Sequence, residues 1–466
     1  MVPEVEYKWT GRQHGRPARS QLGLSGGAIL VSELLENIEG FSFGAALPDR
    51  MVTGYQDFPD NAVPDVPGAV RSAMDGSGLL DAVEPGQSVA IGCGSRGLAN
   101  LPALTRTTIE CVRERDAQPY LFPAMGSHGG GTVAGQLKVL ANFGLTEESM
   151  GVPIRADMAV RRTACLPGGP QLYQGEDSAR ADHVLLINRV KPHTSFHGPV
   201  ESGLSKMGVI GLGKLEGART YHAHGVEVFV SDLTKATQLQ VRHTNLLGGV
   251  AVVENGHEET MAVEALHASE FAGPRERALL DLARTHLPRI PVSPLDLLVV
   301  RRLGKNISGT GMDTNVIGRF AVPDLPDAEW PRITVVAVLS LTPETAGNAN
   351  GLGLANVAAG RVLRNIDWQA TYTNAFAAGV MGLRKAAMPA VVPCDRQVLE
   401  LSLSSIQTSP KQARILFIDD TLSLGRTWMS PNLAAEWAAA SHCRIGSEVS
   451  LAFDGAGLMT SPWDLA

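Results

Sequence analysis

Short apolar runs ending in glycine-rich or polar turns recur along this chain, and stretches of helical periodicity separate them. The run SVAIGCGSRG, 88–97, reads as a buried strand ending in a glycine turn. Residues 102–114 then read as a helix. PYLFPAMGSHGGGT, 119–132, is a second strand followed by a glycine loop, GSHGGGT, 126–132. A helix is expected over 134–143, and HVLLINRVKPH, 183–193, is a third strand. Strands alternating with helices predict a parallel sheet with crossover helices, whose ligands gather at the carboxyl ends of the strands. A charged helix followed by prolines at 272–293 marks a boundary. Beyond it LDLLVVRRL, ITVVAVLSL, AVVPC and ARILFIDD read as strands of a second unit.

The expected fold class is therefore α/β, with two α/β domains, mainly parallel sheets and an active-site cleft between them. The expected division is 1–285, catalytic and cofactor-binding, and 286–466, closing the cleft. The Gly/Pro-rich first 85 residues are expected to be irregular with short elements. The last 40 residues read as a closing α/β segment, and no internal repeat of fixed period is present.

Composition narrows the class. Hydrophobic residues make up 44% and charged residues 19%, an ordinary globular mix. With a formal net charge of −7 and no long Lys/Arg run, nucleic acid is a poor partner. The five cysteines form no CxxC pair, which argues against a thiolate metal site or a disulfide framework. No apolar leader and no long apolar span are evident, so a cytoplasmic protein is expected, with no membrane association.

The chemistry concentrates in 188–225, which holds His193, His197, His222 and His224 together with Lys191, Lys206 and Lys214. Burying so many polar groups in a core is costly, so the stretch reads as either a site or a solvated loop. Histidine suits general-base work or metal ligation, and a lysine in a cleft can anchor a cofactor. The HAH pair, 222–224, would project both rings to one side if extended, yet two histidines rarely complete a zinc site. GSHGGGT can cradle an anion at a helix start, and its His128 faces the same strand ends as His193. Two histidines on opposite sides of a carbon are what a two-base racemase needs. Arg96, in GCGSRG, suits a phosphate or carboxylate, with a plain surface arginine as the alternative. In the second unit LGKNISGTGMDTNVIGR, 303–319, interleaves Lys305, Asn306, Asp313, Asn315 and Arg319 with glycines. TPETAGNANGLGLAN, 342–356, is similar in character and reads alternatively as a capped helix entry at Thr342 or Thr345.

These motifs in this order resemble the nickel-dependent lactate racemase family, from about residue 88 to 320 and more loosely to 400. The carrying part is the KPH of the third strand, then a Gly/Ser segment with Lys206, then His222. The resemblance implies that Lys206 carries a nickel pincer nucleotide and that His222 ligates its nickel. It also implies that His128 and His193 are the catalytic acid/base pair, and that Ser95, Arg96 and Lys305 contact cofactor or substrate. Lys214 competes with Lys206 but does not keep the family's spacing to His222. The aspartate that precedes Thr-Arg in the family is replaced here, with Cys93 nearby. The segment from His193 to Lys206 is longer than usual, and GGRKS becomes SGLSKMG.

The implied activity is inversion at C2 of a 2-hydroxy acid by an isomerase, with cofactor-biosynthesis proteins as maturation partners and homo-oligomerisation compatible. The alternatives are a sugar-acid 2-epimerase using the same cofactor, a non-catalytic nucleotide- or metal-binding protein, and a metal-dependent hydrolase or lyase built on HAH.

Overall fold

A computed structural model describes residues 43–463, Arg96 and Asp324 excepted. Among these residues there are fifteen principal strands: β1 Arg50–Gln56, β2 Ser88–Cys93, β3 Gln118–Pro123, β4 Val160–Cys165, β5 Gln171–Gly175, β6 His183–Arg189, β7 Leu246–Glu254, β8 Thr260–His267, β9 Leu295–Leu303, β10 Ile333–Leu341, β11 Val357–Ala359, β12 Ala390–Val392, β13 Ile415–Ile418, β14 Arg426–Met429 and β15 Cys443–Ser450. The first sheet has the order β3-β2-β6-β7-β8, parallel except for its last strand. The second has eight strands in the order β12-β11-β10-β9-β13-β14-β1-β15. It is parallel from β12 to β13 and antiparallel beyond. The mixed α/β architecture with mainly parallel sheets is the expected one.

The apolar runs are continuous because both faces of each sheet are covered. In the first sheet Ile91, Leu121, Leu185 and Val252 face one core, while Ala90, Phe122, Leu186 and Val253 face the other. In β9, Leu298 and Val300 point one way, and Leu297 and Val299 the other. Each such side chain contributes roughly 1.5–3 kcal/mol by leaving water.

Two features of the first 85 residues differ from the irregular structure expected. Val66–Ser77 is a helix whose start is capped by the Asp65 carboxylate, which accepts from the Gly68 N–H. β1 is a strand of the second sheet, between β14 and β15, although by chain position it belongs with the first unit. A nonlocal pairing of this kind leaves no local signature in an alternation-poor segment.

In the first sheet the chain leaves β2 for β3 on one side, and β6 later returns on the other. In the second sheet β10 and β13 flank β9 in the same way. Crevices form at such switch points. The loops beyond β6 and β9 meet: Lys191 pairs with Asp313 at 3.2 Å, the Thr314 hydroxyl donates to Thr194 O, and the Asn315 amide donates to His193 O.

Candidate active site at the junction of the two sheets

Most of the segment 188–225 is built into the core, with His197 and His224 exposed. Phe196, Val200, Val209, Tyr221 and Phe229 pack as one apolar cluster. Around it the backbone passes through a helical turn, Gly203–Lys206, a π-helical turn, Met207–Gly211, and the helix Lys214–His222. Wide turns of this type are frequent at functional sites. Gly203 must be glycine: it has φ +76°, and a Cβ there would stand 2.6 Å from Glu276 Oε1. The buried Glu276 carboxylate accepts from the Ser205 N–H, the Ser205 hydroxyl and the Ala272 N–H. The residue before Lys206 is thereby fixed from an element outside the motif.

Three candidate residues converge. The His193 ring lies 4.3 Å from Phe196, and Phe196 lies 5.2 Å from Phe229. The Lys206 ammonium stands 5.4 Å over Phe196 and 5.6 Å over Phe229. His222 also lies against Phe229, at 4.9 Å. His222 Nδ1 bonds Ala218 O at 2.6 Å, so this nitrogen donates and Nε2 keeps its lone pair. Burial lowers the proton affinity of His222, and the Lys206 charge lowers it further. A neutral imidazole oriented by a backbone carbonyl is the state in which histidine ligates a metal.

Lys214 is excluded from that chemistry. Its side chain is fully buried, its ammonium pairs with Asp177 at 2.5 Å, and it donates to Pro123 O at 2.6 Å. Burial pushes its proton affinity down against the pull of Asp177.

His128 and Ser95 meet through a short hydrogen bond between Ser95 Oγ and His128 Nδ1. The loop that carries His128 rests on the helical segment between Lys206 and His222: Gly126 approaches Ile210 O and Ala218, and Gly131 approaches Leu215. Its sequence also suggested an anion cradle. The His128, Gly131 and Thr132 amides instead bond Met125 O, His128 O and Gly129 O within the loop. Thr132 caps the following helix by accepting from the Gly135 N–H. Arg96 lies outside the described residues.

The HAH pair does not act as a unit. It ends a helix rather than lying in an extended segment. His222 turns to Ala218 O, while the exposed His224 turns to Thr220 O. Among the described residues no group of three or more His, Cys, Asp or Glu side chains gathers as a metal site. Lys305 sits in the second unit, where its ammonium donates to Gly309 O at 2.6 Å and bonds Asn350 Oδ1 at 3.4 Å, tying the two glycine-rich segments together. Thr342 caps no helix; its hydroxyl donates to Asn306 Oδ1, beside a single 3-10 turn.

Several residues of the site carry no signal in the sequence. Glu201, fully buried, accepts from the His193 and Gly198 N–H groups and from Arg284, and it bonds His197 Nδ1. Burial pushes its carboxyl up, but these bonds together hold it below the ordinary range. Lys385, which closes the short helix Gly379–Lys385, is 3% exposed and reaches Ser195 Oγ at 2.7 Å and Thr194 O at 3.3 Å. Phe196 stood inside the motif, but its role in joining His193 to Lys206 is a matter of packing. Among the described residues no helix is long and apolar enough to cross a membrane.

No family model matches this sequence, and no curated protein matches it. Among solved structures, the chain is similar to the lactate racemase apoprotein from Thermoanaerobacterium thermosaccharolyticum. That likeness has a TM-score of 0.49 and 12% identity, over 80% of this chain and 99% of the other. It is also similar to a protein of Thermotoga maritima, with a TM-score of 0.42 and 13% identity, over 58% of this chain and 70% of the other.

Proposed function

We propose that this protein is a racemase or epimerase that inverts C2 of a 2-hydroxy acid, with a nickel pincer nucleotide held through Lys206 and His222. The observation that carries the reading is the convergence of Lys206 and a neutral, carbonyl-anchored His222 on Phe229. One lysine and one histidine ligand are what a metal held mainly by its own organic cofactor asks of a protein, and no further ligand cluster is needed. When bound, that group supplies the hydride acceptor and donor for C2.

The chain's own residues do the rest. Lys206 is the attachment point, and His222 presents its Nε2 lone pair to nickel. His128 and His193 form the acid/base pair for the substrate hydroxyl. Phe196 and Phe229 keep water from the space between Lys206 and His193, which protects a hydride acceptor and a bound keto acid. Ser95 orients His128 and borders the cofactor, and Lys305 offers a cation from the second unit.

The deciding experiment is nickel content with intact mass, on protein co-produced with the pincer-nucleotide biosynthetic enzymes. About one nickel per chain with an adduct on Lys206 supports the proposal. Nickel without an adduct moves the cofactor to noncovalent binding. Neither nickel nor adduct overturns the cofactor assignment and leaves the carrier and hydrolase alternatives.

The sugar-acid 2-epimerase reading has one observation in its favour. A cavity of about 180 Å³ opens beside Pro192, lined by His197, Arg289, Asn315 and Trp330 among others. Its polar side chains, His197, Arg284, Arg289 and Asn315, stand among apolar ones and offer hydrogen-bond partners to a polyhydroxylated acid. Turnover of a panel from lactate to six-carbon sugar acids separates the two.

A further inference from the structure

A buried lysine normally pairs with a carboxylate, because an isolated charge in low dielectric is costly. Lys385 differs. Its ammonium donates to a hydroxyl and a carbonyl, Ser195 Oγ and Thr194 O, and burial alone pushes its proton affinity down, to about 8. Both acceptors belong to the turn that follows His193. That turn is gripped from the second unit at two further points, by Thr314 on Thr194 O and by Asn315 on His193 O. The turn is thus set by four hydrogen bonds from one side, and its geometry is not free to relax with the loop.

The consequence falls on the histidine ring. The Ser195 N–H donates to His193 Nδ1 at 3.1 Å. An Nδ1 that accepts a hydrogen bond holds a lone pair, so in the neutral ring the proton resides on Nε2. His128 stands in a different setting: its Nδ1 faces a serine hydroxyl, which can donate or accept.

We infer that Lys385 is a positioning residue for His193, locking the Ser195 turn so that its amide fixes the His193 Nε2–H tautomer. The two histidines are then unequal. His193 presents an N–H toward substrate oxygen and is the acid of the pair, and His128, whose Nδ1 meets the Ser95 hydroxyl, is its base. The roles in turnover rest on the proposed function; the tautomer and its dependence on Lys385 do not.

The test is ¹⁵N NMR of the imidazole nitrogens in cofactor-free full-length protein, above the pH range in which imidazoles protonate. The His193 signals are assigned by their loss in His193→Gln. Wild type is expected to show a protonated Nε2 and an unprotonated Nδ1. In Lys385→Met the two nitrogen shifts are expected to converge as tautomers exchange, and Lys385→Arg is expected to restore their separation. Ser195→Ala keeps the amide but loses the hydroxyl that Lys385 grips, so it is expected to follow Lys385→Met, and it carries the test if that variant does not fold. A protonated Nδ1 in wild type, or an unchanged pattern in Ser195→Ala and Lys385→Met, overturns the inference. Because no cofactor or substrate is present, a failed racemisation assay bears on the proposed function and leaves this result standing.

Discussion

Replacing Lys214 by methionine removes one half of a buried ion pair and leaves Asp177 charged in the core. At 2.5 Å the pair attracts by about 7 kcal/mol at an effective dielectric of about 20. Most of that is offset by the cost of taking both charges out of water. Removing one partner from such a pair costs about 3–5 kcal/mol, because the other charge is left stranded. The lower end is expected here, since Asp177 still accepts from the Ser178 and Asp157 N–H groups at 2.9 and 3.2 Å. Apart from Trp9, every tryptophan lies beyond residue 329, so fluorescence reports on the second unit. The first unit is better followed by hydrogen exchange with mass spectrometry on peptides covering 118–123 and 171–175. Their slowest amides are expected to exchange about 100-fold faster in Lys214→Met. The double variant Lys214→Met/Asp177→Asn removes the stranded charge while keeping an acceptor, and it is expected to recover about half of the loss. Lys206→Met gives up cation–π contacts worth about 1 kcal/mol and is expected to leave these amides nearly unchanged. Equal exchange in Lys214→Met and wild type would refute the assignment of Lys214 to the core and reopen its claim to the cofactor.

In protein co-produced with the cofactor's biosynthetic enzymes, His222→Ala is expected to lose nickel by metal analysis; full nickel in that variant removes His222 as the ligand. His128→Ala is expected to keep its nickel while racemisation falls by about 100- to 10,000-fold, the span of general acid/base catalysis; nickel loss would move His128 to cofactor binding. Lys385 makes stability pH-dependent in a defined direction. Its folded pKa, about 8, lies below the ordinary lysine value, so between the two the unfolded chain binds more protons and stability rises with pH. The gain is about 3 kcal/mol across that window, complete above the unfolded value and lost as pH falls through about 8. Lys385→Met is expected to lack it, and parallel unfolding-versus-pH curves for the two proteins would show that Lys385 is not buried as a cation.

What the sequence determined by itself is local. Buried parallel strands must be apolar on both faces, so β2, β3, β6, β9, β10 and β13 stood out as runs. Polar motifs at their ends marked Ser95, His128, His193 and Lys305 as candidates, and the family resemblance, through its spacing to His222, put Lys206 before Lys214. What only the tertiary structure decided is nonlocal. β1 joins the second sheet through pairings with β14 and β15, each hundreds of residues away, and no periodicity in 50–56 encodes those partners. HAH looked like a pair, yet helical geometry sends each imidazole to the carbonyl four residues before it. Lys385 and Glu276 read as an ordinary helix-end lysine and an ordinary helix-start glutamate. Their importance lies in what they touch, Ser195 and Ser205, and a contact between distant segments leaves no trace in the identity of either residue. Residue type fixes what chemistry a side chain can do; burial, partner and tautomer, which select among those options, exist only once the chain has folded.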